Sequence, residues 1–154
     1  MIDSISVIFY KGNIFIPTEA RTKSGLYQAI DPVYVVPLEI DSFVQAMRAV
    51  IKKGHPQVKG TPYSEYRKRD PILRATKARS WKTLARDGLA YSIIWRPDLG
   101  EVQIDLPEVD KKGRFAPLTT ENMEWRIVRF PIDISLEELA EFIIEDIRKR
   151  KGMA

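Results

Sequence analysis

Apolar positions in the first part of the chain follow strand-like spacing. Residues 5–10, Ile5-Ser6-Val7-Ile8-Phe9-Tyr10, read as a strand, and Ile14-Phe15-Ile16 as its return. Lys11-Gly12-Asn13 lies between them, and Gly and Asn tolerate positive φ, so the pair predicts a hairpin. Residues 21–25 read as a polar connection. Val33-Tyr34-Val35-Val36 is a short third strand bounded by Pro32 and Pro37, because proline cannot donate to a ladder.

The period then changes. Phe43, Met47, Val50 and Ile51 make one apolar stripe at helical spacing, predicting a helix over 43–53 capped by Asp41 or Ser42. Lys52 and Lys53 suit its negative end and Gly54 its C′ position. Residues 55–70, with Pro56, Gly60 and Pro62, read as a long loop of the kind that tends to carry function or lack order. Residues 71–77 fit no single pattern. Ser80 caps a short helix over 81–86, ended by Asp87-Gly88.

Two-residue periodicity returns in Leu89 to Trp95 and in Glu101 to Leu106, joined by a turn over 96–100. In the second of these, Val102, Ile104 and Leu106 alternate with Glu101, Gln103 and Asp105, which predicts one buried face and one wet, acidic face. Residues 109–113 read as a charged turn, and 125–130 as a further strand. Ser135 with Glu138 forms a capping-box pattern, and Ile134 with Leu139 a hydrophobic staple. The stripe Leu136, Leu139, Ala140, Ile143 and Ile147 then defines a final helix ending in Arg148 to Lys151. The expectation is one domain over 1–154 of class α+β: a single, largely antiparallel sheet of five or six strands with two or three helices packed on it.

Composition narrows the chemistry. The 154 residues include no cysteine, so disulfides, thiol catalysis and cysteine zinc sites are excluded. His55 is the only histidine. It follows the first helix, where it reads as a partner of the last carbonyls or as an exposed side chain. No apolar run approaches the roughly 20 residues of a membrane span. The start Met1-Ile2-Asp3-Ser4 lacks the positive region of a signal peptide, and a cytoplasmic location is expected. No glycine-rich phosphate loop or nucleophile elbow occurs, and no cofactor is implied. Asp98 and Glu101 faintly resemble a nuclease metal core, but Gln103 stands where such a core has lysine, and a hairpin turn explains Asp98 and Gly100 better.

Charge is sorted along the chain. The net +4 conceals a basic island over 52–86, with 11 basic and 2 acidic side chains. Tyr63, Tyr66 and Trp81 lie within it. Interleaved cations and aromatics suit either an acidic protein surface or nucleic acid. The acids Glu101, Asp105, Glu108 and Asp110 form an opposite patch that also reads as an exposed edge guarding a strand. A chain without catalytic motif, cofactor loop or metal cluster is expected to act by binding.

One resemblance gives that binding a direction. Ala78-Arg79-Ser80-Trp81-Lys82-Thr83-Leu84, followed by Leu89-Ala90-Tyr91-Ser92-Ile93-Ile94-Trp95, resembles small bacterial immunity proteins of contact-dependent growth-inhibition systems. The layout of N-terminal hairpin, central Ser-Trp-Lys turn into a strand pair and C-terminal amphipathic helix is similar too. The resemblance implies a non-catalytic protein that binds and neutralises the C-terminal toxin domain of a delivered effector, often a nuclease. The partner-binding residues expected from charge are Glu101, Asp105, Glu108 and Asp110 on one side. On the other are Arg67, Lys68, Arg69, Lys77, Arg79 and Lys82. The alternative is a small nucleic-acid-binding module using 52–86. No membrane partner is expected.

Overall fold

Alternating side chains build the centre of the fold, which a computed structural model describes over residues 2–60, 70–119 and 121–153. Strand β1 (Ser4–Tyr10) and β2 (Asn13–Thr22) form the expected hairpin, with Lys11 and Gly12 both at positive φ in the turn. The other strands are β3 (Tyr27–Pro37), β4 (Gln57–Val58), β5 (Leu89–Arg96), β6 (Glu101–Asp105) and β7 (Ile127–Pro131). Their order across the sheet is β3-β2-β1-β5-β6-β7, antiparallel at every step. β4 adds a two-residue parallel pairing to the far end of β2.

The helices are α1 (Ile40–Lys53), α2 (Pro71–Thr76), α3 (Trp81–Asp87), α4 (Met123–Arg126) and α5 (Leu136–Arg150). Helices α1 and α5 cover one sheet face. Phe43, Met47 and Val50 of α1 and Leu139, Ile143 and Ile147 of α5 meet Ile5, Val7, Ile14, Ile16, Tyr91, Ile93, Val102 and Ile104. Full burial of each such side chain contributes roughly 1.5–3 kcal/mol. On the opposite face, α2 and α3 cover the β1–β3 region, where Ile72, Ala78 and Leu84 pack on Ile8, Tyr10 and Phe15, with Ala29, Val33 and Ala90 at the margin. β1 is therefore sandwiched, while β6 presents Glu101, Gln103 and Asp105 to that second face.

Capping follows the sequence in part. Ser135 Oγ accepts from the Glu138 backbone N–H at 3.1 Å, and Ser80 Oγ from that of Thr83 at 3.2 Å. Helix α2 resolves the ambiguous segment: Asp70 Oδ1 accepts from the N–H groups of Ile72 and Leu73, and Pro71 sits where no donor is needed. Helix α1 starts earlier than expected, at Ile40, with Glu39 at the cap position and no side-chain cap.

Other expectations are corrected. β3 runs through Pro32 rather than starting after it: as an edge strand it needs no ladder donor there, and the register shifts opposite, between Pro17 and Thr18. The Asp31–Pro32 peptide is cis, and Thr18 Oγ1 donates to the Pro32 carbonyl at 2.8 Å. Residues 21–22 belong to β2, not to a connection. Residues 123–126 form a helical turn before β7, so the expected strand begins at Ile127. Part of the long loop is strand β4. Among the described residues, the two long helices α1 and α5 carry the packing on the main face, and three short ones, α2, α3 and α4, add to them. Among the described residues, no helix is long and apolar enough to cross a membrane.

Candidate partner-binding surface

The alternation in β6 sends Glu101, Gln103 and Asp105 to the second face, but not to an edge. β6 lies between β5 and β7, so the reading of an exposed acidic edge strand is corrected. Each acid is engaged. Glu101 accepts from Gln103 Nε2 at 2.8 Å and pairs with Arg129, and these two contacts hold its carboxyl below the ordinary range. Asp110 Oδ1 accepts from the backbone N–H groups of Lys112 and Arg114, at 2.9 and 3.0 Å, which lowers its pKa. It shapes the charged turn.

Asp105 and Glu108 share a buried cation that sequence reasoning missed. Arg126 is 5% exposed although it carries a full charge. Its Nε lies 3.0 Å from Asp105 Oδ1 and donates to the Leu106 carbonyl at 3.1 Å. Nη1 donates to the carbonyls of Ala116 and Pro117, each at 3.0 Å, and lies 3.5 Å from Glu108 Oε2. Nη2 donates to Asp105 Oδ2 at 3.2 Å. Asp105 Oδ1 and Glu108 Oε2 are buried and, despite these ion-pair distances, neither has a well-directed hydrogen bond. Burial raises the Asp105 carboxyl above its ordinary pKa, against the opposing pull of Arg126.

A cleft of about 240 Å³ opens over this cluster. Ala90, Ser92, Asp105, Glu108 and Arg126 line it together with Phe115 to Leu118. Two carboxylates against one guanidinium leave the cleft one negative charge in excess.

The basic candidates adjoin it. Lys77, Arg79 and Lys82 are exposed around α2 and α3. Arg67, Lys68 and Arg69, with Tyr63 and Tyr66, lie outside the described residues. Trp81 ties the two regions together: its Nε1–H donates to Asp70 Oδ2 at 2.7 Å, and its ring meets Phe115 edge-on at 6.3 Å. The acidic cleft and the basic helices thus sit side by side on one face of the sheet. The sequence placed them in separate segments with no sign of that juxtaposition.

His55 is corrected as well. Its side chain is 7% exposed rather than free at a helix end. Nδ1–H donates to the Glu19 carbonyl at 2.8 Å, Nε2 lies 3.1 Å from Asp3 Oδ1, and the ring packs on Tyr27. The Tyr27 hydroxyl donates to Asp3 at 2.6 Å and accepts from Arg21 at 2.7 Å. Burial pulls the Asp3 carboxyl upward, but Tyr27, His55 and Arg21 outweigh it and leave it below its ordinary value. This network pins the N-terminus to β2 and to the exit of α1. Asp98 pairs with its neighbour Arg96. No group of three His, Asp or Glu side chains is arranged to hold a metal ion among the described residues.

The fold has known counterparts. No protein-family model matches the chain, and no curated protein matches its sequence. Among solved structures, the chain is similar to a protein of unknown function, NMB0488 from Neisseria meningitidis, with a TM-score of 0.65 and 14% identity. That match covers 96% of this chain and 94% of the other. It is also similar to a chain of the CdiA-CT/CdiI toxin and immunity complex from Yersinia pseudotuberculosis, with a TM-score of 0.64, 11% identity and 96% of both chains covered. At these identities the likeness is one of fold.

Proposed function

We propose that this protein is an immunity protein that neutralises the toxin domain of a contact-dependent growth-inhibition system by binding it one-to-one, without catalysis. The observation that carries the reading is the end-to-end fold likeness to a chain of a toxin and immunity complex. The surface described above supports it. An acidic cleft over β6, bordered by exposed cations, offers charge of both signs for choosing a partner and speeding encounter. A complex of this kind is expected to bury about 1,600 Å² in total.

The test is a growth assay: the locus is searched for a toxin-type C-terminal domain encoded immediately upstream, and that domain is induced with and without this protein. Rescue by this chain, and not by an unrelated immunity protein, is the expected result. No such upstream gene, or no rescue at confirmed expression of both, overturns the reading.

A second reading rests on Lys77, Arg79 and Lys82, which are exposed beside Trp81. A nucleic-acid-binding module built there would lose affinity steeply with salt, with a slope set by the number of phosphates neutralised. Weak binding that ignores salt rejects it.

A further inference from the structure

Helix α4 is inside out. Its cationic residue, Arg126, is buried at 5% exposure, while Trp125 and Met123 stand in solvent at 63% and 40%. Globular surfaces ordinarily show the reverse. The inversion has a local cause: Arg126 must reach inward to the carbonyls of Leu106, Ala116 and Pro117 and to Asp105, and a single helical turn then points its neighbours outward. Asn122 fixes the turn to the same loop, donating to the Pro117 carbonyl at 3.1 Å and accepting from the Thr119 N–H at 2.8 Å. Trp125 therefore stands on a braced segment, next in sequence to the Arg126 that lines the Asp105–Glu108 cleft. Val109, 45% exposed, lies on the arm that closes the other end of this loop through its bridge to Phe115.

We propose that this corner is the anchor point for the partner, the cleft taking a lysine or arginine side chain of the toxin domain while Trp125 packs on the surrounding backbone; this rests on the toxin reading above. Three features select a basic side chain. The cleft carries one uncompensated negative charge. Glu108 Oε2 is buried against Arg126, but the Glu108 side chain as a whole is 38% exposed, so an incoming ammonium or guanidinium meets its carboxylate from the solvent side. The walls of Ala90, Phe115, Ala116, Pro117 and Leu118 suit an aliphatic stem. An exposed tryptophan beside such a pocket has the composition of an interface hot spot, and its ring face attracts cations.

The experiment measures binding of the purified upstream toxin-type domain to wild type, Trp125→Ala, Glu108→Lys and, as a surface control, Lys77→Glu/Lys82→Glu. All changed side chains are at least partly exposed, and circular dichroism checks that each variant is folded. Trp125→Ala is expected to weaken binding about thirtyfold, chiefly through faster dissociation, and Glu108→Lys by about tenfold or more. Affinities of both within about threefold of wild type, or a loss confined to the lysine control, overturn the proposal. A second arm needs no toxin: N-acetyl-lysine amide is titrated against the neutral glutamine amide, with the Trp125 indole N–H read by NMR. A saturable shift with the lysine amide only, lost in Glu108→Gln, supports the cleft, and equal or absent shifts overturn it. Failure of wild type to bind the toxin domain would remove the toxin reading, while the lysine arm would still decide the cleft.

Discussion

Replacing Arg126 by methionine is the sharpest test of how this face is held together. The change keeps much of the stem's volume and removes the charge. It deprives three carbonyls of their donor and leaves Asp105, with its side chain 14% exposed, and Glu108 without a cation. Taking one partner from a buried pair costs about 3–5 kcal/mol. Because the cleft admits water to the carbonyls and Glu108 is partly exposed, the low end, about 3 kcal/mol, is expected. That is a large part of the 5–15 kcal/mol typical of a domain. With a urea m-value of about 2 kcal/mol/M, the midpoint falls by about 1.5 M. The thermal midpoint falls by roughly 6–12 °C. The double variant Arg126→Met/Asp105→Leu removes both charges and should recover much of the loss, since apolar replacement of a whole buried pair is often neutral. The assay is urea unfolding at neutral pH, with unchanged m-values as the check on two-state behaviour. A single variant within about 1 kcal/mol of wild type, or a double variant worse than the sum of its singles, would refute the reasoning.

Other expectations follow from the same geometry. Gly88→Ala places a Cβ 2.6 Å from the Phe9 carbonyl and 2.8 Å from that of Leu84, both backbone atoms, so α3 must move off β1. A loss of about 1–3 kcal/mol by thermal unfolding is expected, and a neutral result would contradict this close approach. Asp105 has a raised folded pKa, so its folded state holds its proton to higher pH than the unfolded chain. Its contribution is fully present below the unfolded pKa and is lost as pH rises through the folded one. Wild type should therefore gain stability relative to Asp105→Asn as pH falls through that window, and a relative loss there would show the sign to be wrong. His55→Ala removes a buried ring and its bond to the Glu19 carbonyl, and should cost about 2 kcal/mol while loosening the N-terminus to hydrogen exchange. Unchanged exchange at residues 3–6 would count against the pinning role.

The core was legible because its signals are local. The stripes of α1 and α5, the alternation in β5 and β6, and the caps at Ser80 and Ser135 each depend on neighbours a few residues apart. What the sequence hid depends on distant partners. Alternation marked Asp105 as facing away from the main core, but only the pairing of β7 outside β6 and the inward reach of Arg126 make that position largely covered. A period-two reading of 125–130 turned Trp125 and Arg126 into strand residues, since a one-turn helix is too short to leave a periodic trace. His55 looked like a helix-end residue because nothing local announces Asp3 or Tyr27. Charge sorting singled out an acidic and a basic candidate segment, yet their meeting across Trp81 and Phe115 is a property of the sheet order.

The central claim is stoichiometric neutralisation, and the most direct measurement is a titration of this protein into a fixed amount of the purified toxin-type domain while the toxin's own activity is followed. The account predicts a linear fall that reaches zero at one molar equivalent. Activity that persists at large excess would contradict binding as the function. Complete loss at a small fraction of an equivalent would contradict the non-catalytic mechanism.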